Sequence, residues 1–254
     1  MRNIKLIIEY DGTNYAGWQI QNNCKSKTLQ ETIEKTLQII LQEKIKVIGS
    51  GRTDSGVHAL AQVVNFKTNS PLSILRIQKA LNSLLPQDIS IKEIGEADKD
   101  FHSRYSAKSK TYRYFILNSE TKSVFLNKYA WHIPYQLNVR LMRKEAKALP
   151  GRHDFKSFRA SGSSAKTTVR TVKKLSIKTL SYKLSTINHK LIIIDIQADG
   201  FLYNMVRNIV GTLVEIGRGR FPKESLKKIL LAKNRKQAGP TAPAQGLFLL
   251  EVKY

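Results

Sequence analysis

Residues 28–41 read TLQETIEKTLQIIL. Leu29, Ile33, Leu37, Ile40 and Leu41 recur at helical spacing and would share one apolar face. Thr28, with Glu31 three residues on, is the signature of a capping box that starts the helix. Working outward, the apolar run 4–9 predicts a strand, closed by the turn formers Asp11-Gly12-Thr13-Asn14. After the helix, residues 46–49 begin a second strand, a glycine-rich segment 49–56 interrupts it, and 59–66 predicts a third. A second amphipathic helix spans 73–85 and stops before Pro86, and 89–94 alternates as a strand.

This order, βαββαβ by about residue 100, is that of a ferredoxin-like unit. A second series follows: a strand at 111–117, a helix at 137–149 and a hairpin from 172–178 and 190–196. Helices at 201–216 and 225–232 and a strand at 247–252 complete it. The fold class is α+β: two ferredoxin-like-derived halves with mainly antiparallel sheets, helices on one face and a cleft between the halves. The boundary falls in the polar, basic stretch 100–109, giving an N-terminal domain 1–104 and a C-terminal domain 105–254. The two series hint at a duplication, although no residue repeat accompanies them.

Of 254 residues, 41% are hydrophobic, enough for a core and against a disordered basic tail. Lys plus Arg exceed Asp plus Glu by 43 − 19, a net charge of +24. So large an imbalance calls for a polyanionic partner and points to nucleic acid. Cys24 is the single cysteine, so no internal disulfide forms, and no His/Cys spacing offers a metal site. No signal peptide or membrane span is legible. The expectation is a cytoplasmic protein without metal or cofactor.

The segment Gly51-Arg52-Thr53-Asp54-Ser55-Gly56-Val57-His58-Ala59 lies between two predicted strands. Its glycines permit tight turning and close approach of a ligand. Their spacing fits neither a dinucleotide fingerprint nor a phosphate loop. Asp54-Ser55-Gly56 also reads as an ordinary hairpin turn, and His58 as a packing or hydrogen-bonding residue. In Lys110-Thr111-Tyr112-Arg113-Tyr114, strand alternation puts both tyrosines on one face. That face could stack on a base, for about 1–3 kcal/mol, or simply be half-buried. Arg207 is a cation in the apolar stretch 201–216, with Phe201, Met205 and Asn208 along one helical face. It wants an anionic partner, for which Asp54 and Glu215 are candidates.

With these residues in view, the chain resembles the bacterial tRNA pseudouridine synthase A family nearly end to end. The resemblance rests on Tyr10-Asp11-Gly12-Thr13, Tyr15-Ala16-Gly17-Trp18-Gln19, residues 51–59, Phe101-His102 with Arg104, and residues 110–114. It continues through His153-Asp154-Phe155, Ser157-Phe158, residues 201–211, Ala242-Pro243-Ala244 and Gly246-Leu247. Ser55 stands where the family commonly has alanine. The resemblance implies an isomerase that converts uridine to pseudouridine at positions 38, 39 and 40 of the tRNA anticodon stem-loop, acting as a homodimer. It implies Asp54 as the nucleophile, attacking a flipped-out uridine. Arg207 would keep that carboxylate ionised, Tyr112 would stack on the target base, and Arg52 would hold the flipped nucleotide or fill the space it leaves. Flipping costs a few kcal/mol, of the size one stacking ring and one or two charged contacts can offset. The wider positive charge would bind the RNA backbone by shape, along the cleft and its flanks.

Two other readings meet part of this. A non-catalytic RNA-binding protein explains charge and aromatics, but not a carboxylate in a basic loop that faces a polyanion. A metal-dependent phosphoryl-transfer enzyme would bring clustered carboxylates, and Asp54 stands alone in its segment.

Overall fold

The computed structural model describes residues 1–20, 26–162, 165–184 and 187–254, the side chains of 182–184 and 187–189 excepted; Cys24 lies outside them. In chain order the elements are β1 (Arg2–Tyr10), α1 (Leu29–Leu41), β2 (Ile48–Gly49), β3 (His58–Thr68), α2 (Ile74–Leu84) and β4 (Ile89–Ala97). Then come β5 (Ser109–Asn118), β6 (Trp131–Ile133), α3 (Val139–Ala146), β7 (Gly151–Asp154), β8 (Val169–Leu184) and β9 (Ile187–Ala198). The last three are α4 (Met205–Gly217), α5 (Ser225–Ala232) and β10 (Leu247–Lys253). The class is α+β, as the sequence predicts. Two compact units result: Met1–Lys108 with Phe248–Tyr254, and Ser109–Leu247.

In the first unit β1 pairs antiparallel with both β3 and β4, and β2 lies antiparallel on the far edge of β3. The strand order is therefore 4-1-3-2, that of a ferredoxin-like sheet. Ile4, Leu6, Ile8 and Tyr10 of β1 point to one face and are buried. The helices supply Leu29, Ile33, Leu37, Ile77 and Leu81, none of them exposed. The capping box on α1 is reciprocal. The Thr28 hydroxyl accepts from the Glu31 amide at 3.3 Å, and the Glu31 carboxylate accepts from the Thr28 amide. Ser73 caps α2, and Leu85 is extended ahead of Pro86, which ends that helix.

The edge of β3 is shared. β2 takes it at Val64 and Asn65, while β10 runs parallel to it at His58 and Ala59. Phe248 stacks on His58 at 4.6 Å, and the Tyr254 hydroxyl donates to the Ser103 carbonyl. These contacts place β10 in the first unit, whereas the sequence boundary at 104/105 assigns it to the second half. The second strand is also shorter than the predicted 46–49.

In the second unit β5, β9, β8 and β7 pair in that order, all antiparallel, with β6 parallel on β5. Arg113 and Asp195 face one another across β5 and β9 in a bidentate pair at 2.7 and 2.8 Å. Helix α3 lies against α4 and β8. Its Glu145, buried, caps α5 by accepting from the Glu224 and Leu226 amides. Helix α4 is buried almost throughout but starts at Met205, not 201. The cause is Asn204, whose left-handed backbone (φ 57°) cannot continue a helix backward. Phe201 therefore sits in the approach to α4 rather than on its Met205–Asn208 face.

Candidate active site

The segment carrying Asp54 is held from behind by a buried polar network. The Tyr10 hydroxyl and the Thr53 hydroxyl share a 2.8 Å hydrogen bond. Ser50 Oγ donates to Gln62 Oε1 at 2.6 Å, and Gln62 Nε2 donates to the Gly51 carbonyl at 2.8 Å. Burial pushes the Tyr10 hydroxyl well above its usual range, against the opposing hydrogen bonds from Thr53 and Gln62, so it remains a neutral phenol. Gln62 is wholly buried in β3, between Ala61 and Val63. A polar residue in such a setting is a legible signal of a network, and it was not read from the sequence.

Two motifs distant in sequence interlock here. The Trp18 amide donates to the Thr53 carbonyl at 3.0 Å, and Arg52 Nε donates to Gln19 Oε1 at 3.0 Å. Gly17 is required twice over: its φ is +99°, and a Cβ there would lie 2.7 Å from the Thr53 oxygen. The Ser55 hydroxyl donates to the Tyr15 carbonyl at 3.0 Å, so serine adds a tie that alanine would lack. Asp54 is half-buried at the head of a turn in which the Val57 amide donates to its carbonyl and Gly56 has φ +74°. Arg52 beside it is exposed. His58 is buried, its Nδ1 3.1 Å from the Gly12 amide and 3.0 Å from Asp11 Oδ1. A neutral ring can serve only one of these two, as acceptor or as donor. The arrangement is thus a rigid platform presenting one carboxylate and one guanidinium.

In the second unit Tyr112 is buried, with Phe201 edge-on at 5.0 Å and 86°. Tyr114 shares its face, as strand alternation predicts, but is fully buried and donates to the Pro243 carbonyl at 2.7 Å. Its ring leaves no room for a side chain at Gly246. Arg207 is half-buried in the first turn of α4. Its Nε donates to the Ala242 carbonyl at 2.7 Å and its Nη1 to Asn204 Oδ1 at 2.9 Å. Glu215, one of its two candidate partners, is instead held by Arg218 and Arg220 at 2.9 and 3.0 Å, about 12 Å further along the helix axis. His153-Asp154-Phe155 and Ser157-Phe158 are scaffold: Phe155 and Phe158 are core, and Ser157 donates to the Ile229 carbonyl. Among the described residues, no three His, Cys, Asp or Glu side chains gather as a metal-holding cluster. None of the described helices is long and apolar enough to cross a membrane.

The family model described as tRNA pseudouridine synthase matches residues 6–106 and 146–254. The chain belongs to the tRNA pseudouridine synthase family. It is 50% identical over 254 residues to the tRNA pseudouridine synthase A of Acetivibrio thermocellus, covering all of both chains. It is 47% identical, again over the full length of both, to that of Thermoanaerobacter pseudethanolicus. With the tRNA pseudouridine synthase A 2 of Clostridium perfringens the identity is 45% over the same span. The Asp54 platform and the Arg207 helix both fall within the segments the family model matches, and the family's enzymes are isomerases.

Proposed function

We propose that this chain isomerises uridine to pseudouridine in tRNA, at positions 38, 39 and 40 of the anticodon stem-loop. The reaction breaks the C1′–N1 bond, turns the base and joins C1′ to C5; the C5 proton leaves and N1 gains one. Nothing is oxidised or reduced, and the atoms balance without a cofactor. Asp54 is the nucleophile that holds the intermediate while the base turns, a task suited to a carboxylate ionised at neutral pH. The target uridine flips out of its stack to reach it. Arg52, exposed beside Asp54, holds the flipped nucleotide; Tyr112 contacts the base; Arg207 supplies the fixed cation the carboxylate chemistry calls for. The net charge of +24 draws in the RNA backbone without reading sequence. The enzyme works in the cytoplasm as a homodimer.

The observation that carries this reading is the Asp54 platform itself. A buried network of tyrosine, threonine, serine and glutamine holds the segment from behind, and this lies in a chain matched over its length by pseudouridine synthases. A hairpin turn with no further role has no need of such a clamp. The test is tritium release from tRNA transcripts labelled at uridine C5, with EDTA present. Wild type should release tritium, and Asp54→Ala should bind the same tRNA and release none. Equal release by a folded Asp54→Ala protein would remove Asp54 from the mechanism. No release by wild type, on several tRNAs with uridine in the anticodon arm, would overturn the activity.

A further inference from the structure

Helices α4 and α5 both open on a left-handed residue without a side-chain cap, Asn204 and Glu224, but only Asn204 is a residue that ordinarily caps well. Among the described helices, α1, α2 and α3 are capped in the usual manner. Thr28, Ser73 and Asn138 each accept a backbone amide three residues on, and Asn138 does so at 3.0 Å on α3. Asn204 occupies the same position on α4 and makes no such cap. It forgoes a contact worth about 1 kcal/mol. Its backbone is left-handed, at φ 57° and ψ 11°, a conformation in which glycine would carry no strain. Its side-chain oxygen instead accepts from Arg207 Nη1 at 2.9 Å.

Arg207 is itself misplaced by local rules. It lies in the first turn, where the helix dipole disfavours a cation by about 0.3–1 kcal/mol. Its Nε is tied to the Ala242 carbonyl, and its own carbonyl accepts the Ala242 amide at 3.1 Å. The segment bearing Ala242 is itself fastened to α4. The Gly239 amide donates to Thr212 Oγ1, and both Thr241 and Arg235 donate to the buried Asn208 Oδ1. The Asn204 and Ala242 oxygens that accept from Arg207 hold two of its nitrogens, Nη1 and Nε, and so fix the plane of the guanidinium.

We infer that Asn204 is a positioning residue: its strained backbone turns the side-chain oxygen onto Arg207 and aims that guanidinium for the reaction. The inference rests on the part given to Arg207 above. Asn204→Gly separates the two duties of the residue, because glycine keeps the left-handed backbone and removes the oxygen. The expected result is a melting temperature at or above wild type, an unchanged KM for tRNA and a kcat lowered by roughly 10- to 100-fold, as a misaimed charged group produces. Arg207→Ala should lose activity, and adding Asn204→Gly to it should cost nothing more. The Arg207 Nε–H resonance should exchange with water faster in Asn204→Gly than in wild type.

Two outcomes overturn the inference. If Asn204→Gly is as active as wild type while Arg207→Ala is not, Asn204 is a turn residue only and the role of Arg207 stands. If Arg207→Ala is fully active, the role of Arg207 falls and the inference with it.

Discussion

Gly211→Ala should destabilise this protein, although the same exchange inside a helix ordinarily stabilises. Alanine is favoured over glycine in a helix interior by about 1 kcal/mol. Gly211 lies in the middle of α4, so propensity alone predicts a gain. A Cβ at this position would fall 1.7 Å from the Pro240 oxygen and 2.9 Å from its carbonyl carbon. Real contacts of this kind do not fall below 3.0 Å, so the Pro240 backbone must retreat by at least 3.0 − 1.7 = 1.3 Å. Such overpacking costs about 1–3 kcal/mol. The retreat also pulls on the two Arg207–Ala242 hydrogen bonds and the Gly239–Thr212 bond, each worth about 1 kcal/mol. Set against the propensity gain, the net loss is about 2–4 kcal/mol. For a chain of this size that lowers Tm by roughly 5–15 °C. The assay is a thermal melt followed by circular dichroism, paired with urea unfolding. An unchanged or raised Tm would show that the 239–243 segment is not packed on α4 as described, and would remove the fixed anchor for Arg207.

Gln62→Leu should remove the side-chain ties of Ser50 and Gly51 to β3 and leave only the Ser50 amide on the Val63 carbonyl; tritium release should fall about tenfold while tRNA affinity, measured by filter binding, holds within a few-fold. Loss of binding in equal measure would make the network a folding element only. Burial pushes the Asp154 carboxyl up, but the Thr168 hydroxyl, the Lys156 amide and Lys233 together outweigh it and hold it below the ordinary carboxylate value. A folded pKa below the unfolded one gives stability that is full above about pH 4 and lost as pH falls further. Asp154→Asn should therefore lower Tm at pH 7 and leave a shallower acid limb; a difference from wild type that does not shrink toward pH 3 would refute the linkage.

What could be read from the chain beforehand was what local rules decide. Helix α1 is specified by its own residues: the apolar spacing fixes its face, and Thr28 with Glu31 fixes its start. The Asp54 segment stands out in the sequence because glycines flank a cation and a carboxylate there and because the family resemblance passes through it, although its residues alone read equally well as a hairpin turn. The failures share a cause. Nothing local in Phe201-Leu202-Tyr203-Asn204 forbids a helix; the left-handed Asn204 is set by what its side chain meets in the folded unit. The place of β10 depends on pairing with β3 at His58, far away in sequence, which no window of neighbouring residues reports. β6 and β7, of three and four residues, are too short to show a period. Glu215 was open to a better reading, since Arg218 stands one turn away from it.

The sharing of the β3 edge has a bearing on how the protein is made. Residues 58–59, which follow directly on the Asp54 segment, have β1 on one side at Ala59, and on the other receive their partner strand and the ring of Phe248 from β10. A ribosome delivers the sheet of the first unit early, but the strand that closes this corner is among the final stretches of these 254 residues to emerge. Until then the backbone behind the carboxylate lacks that support, so this unit matures only after the whole intervening unit has been synthesised. Assembly of the Asp54 segment is thereby tied to synthesis through β10, and a chain interrupted before residue 247 carries the aspartate without its finished mounting.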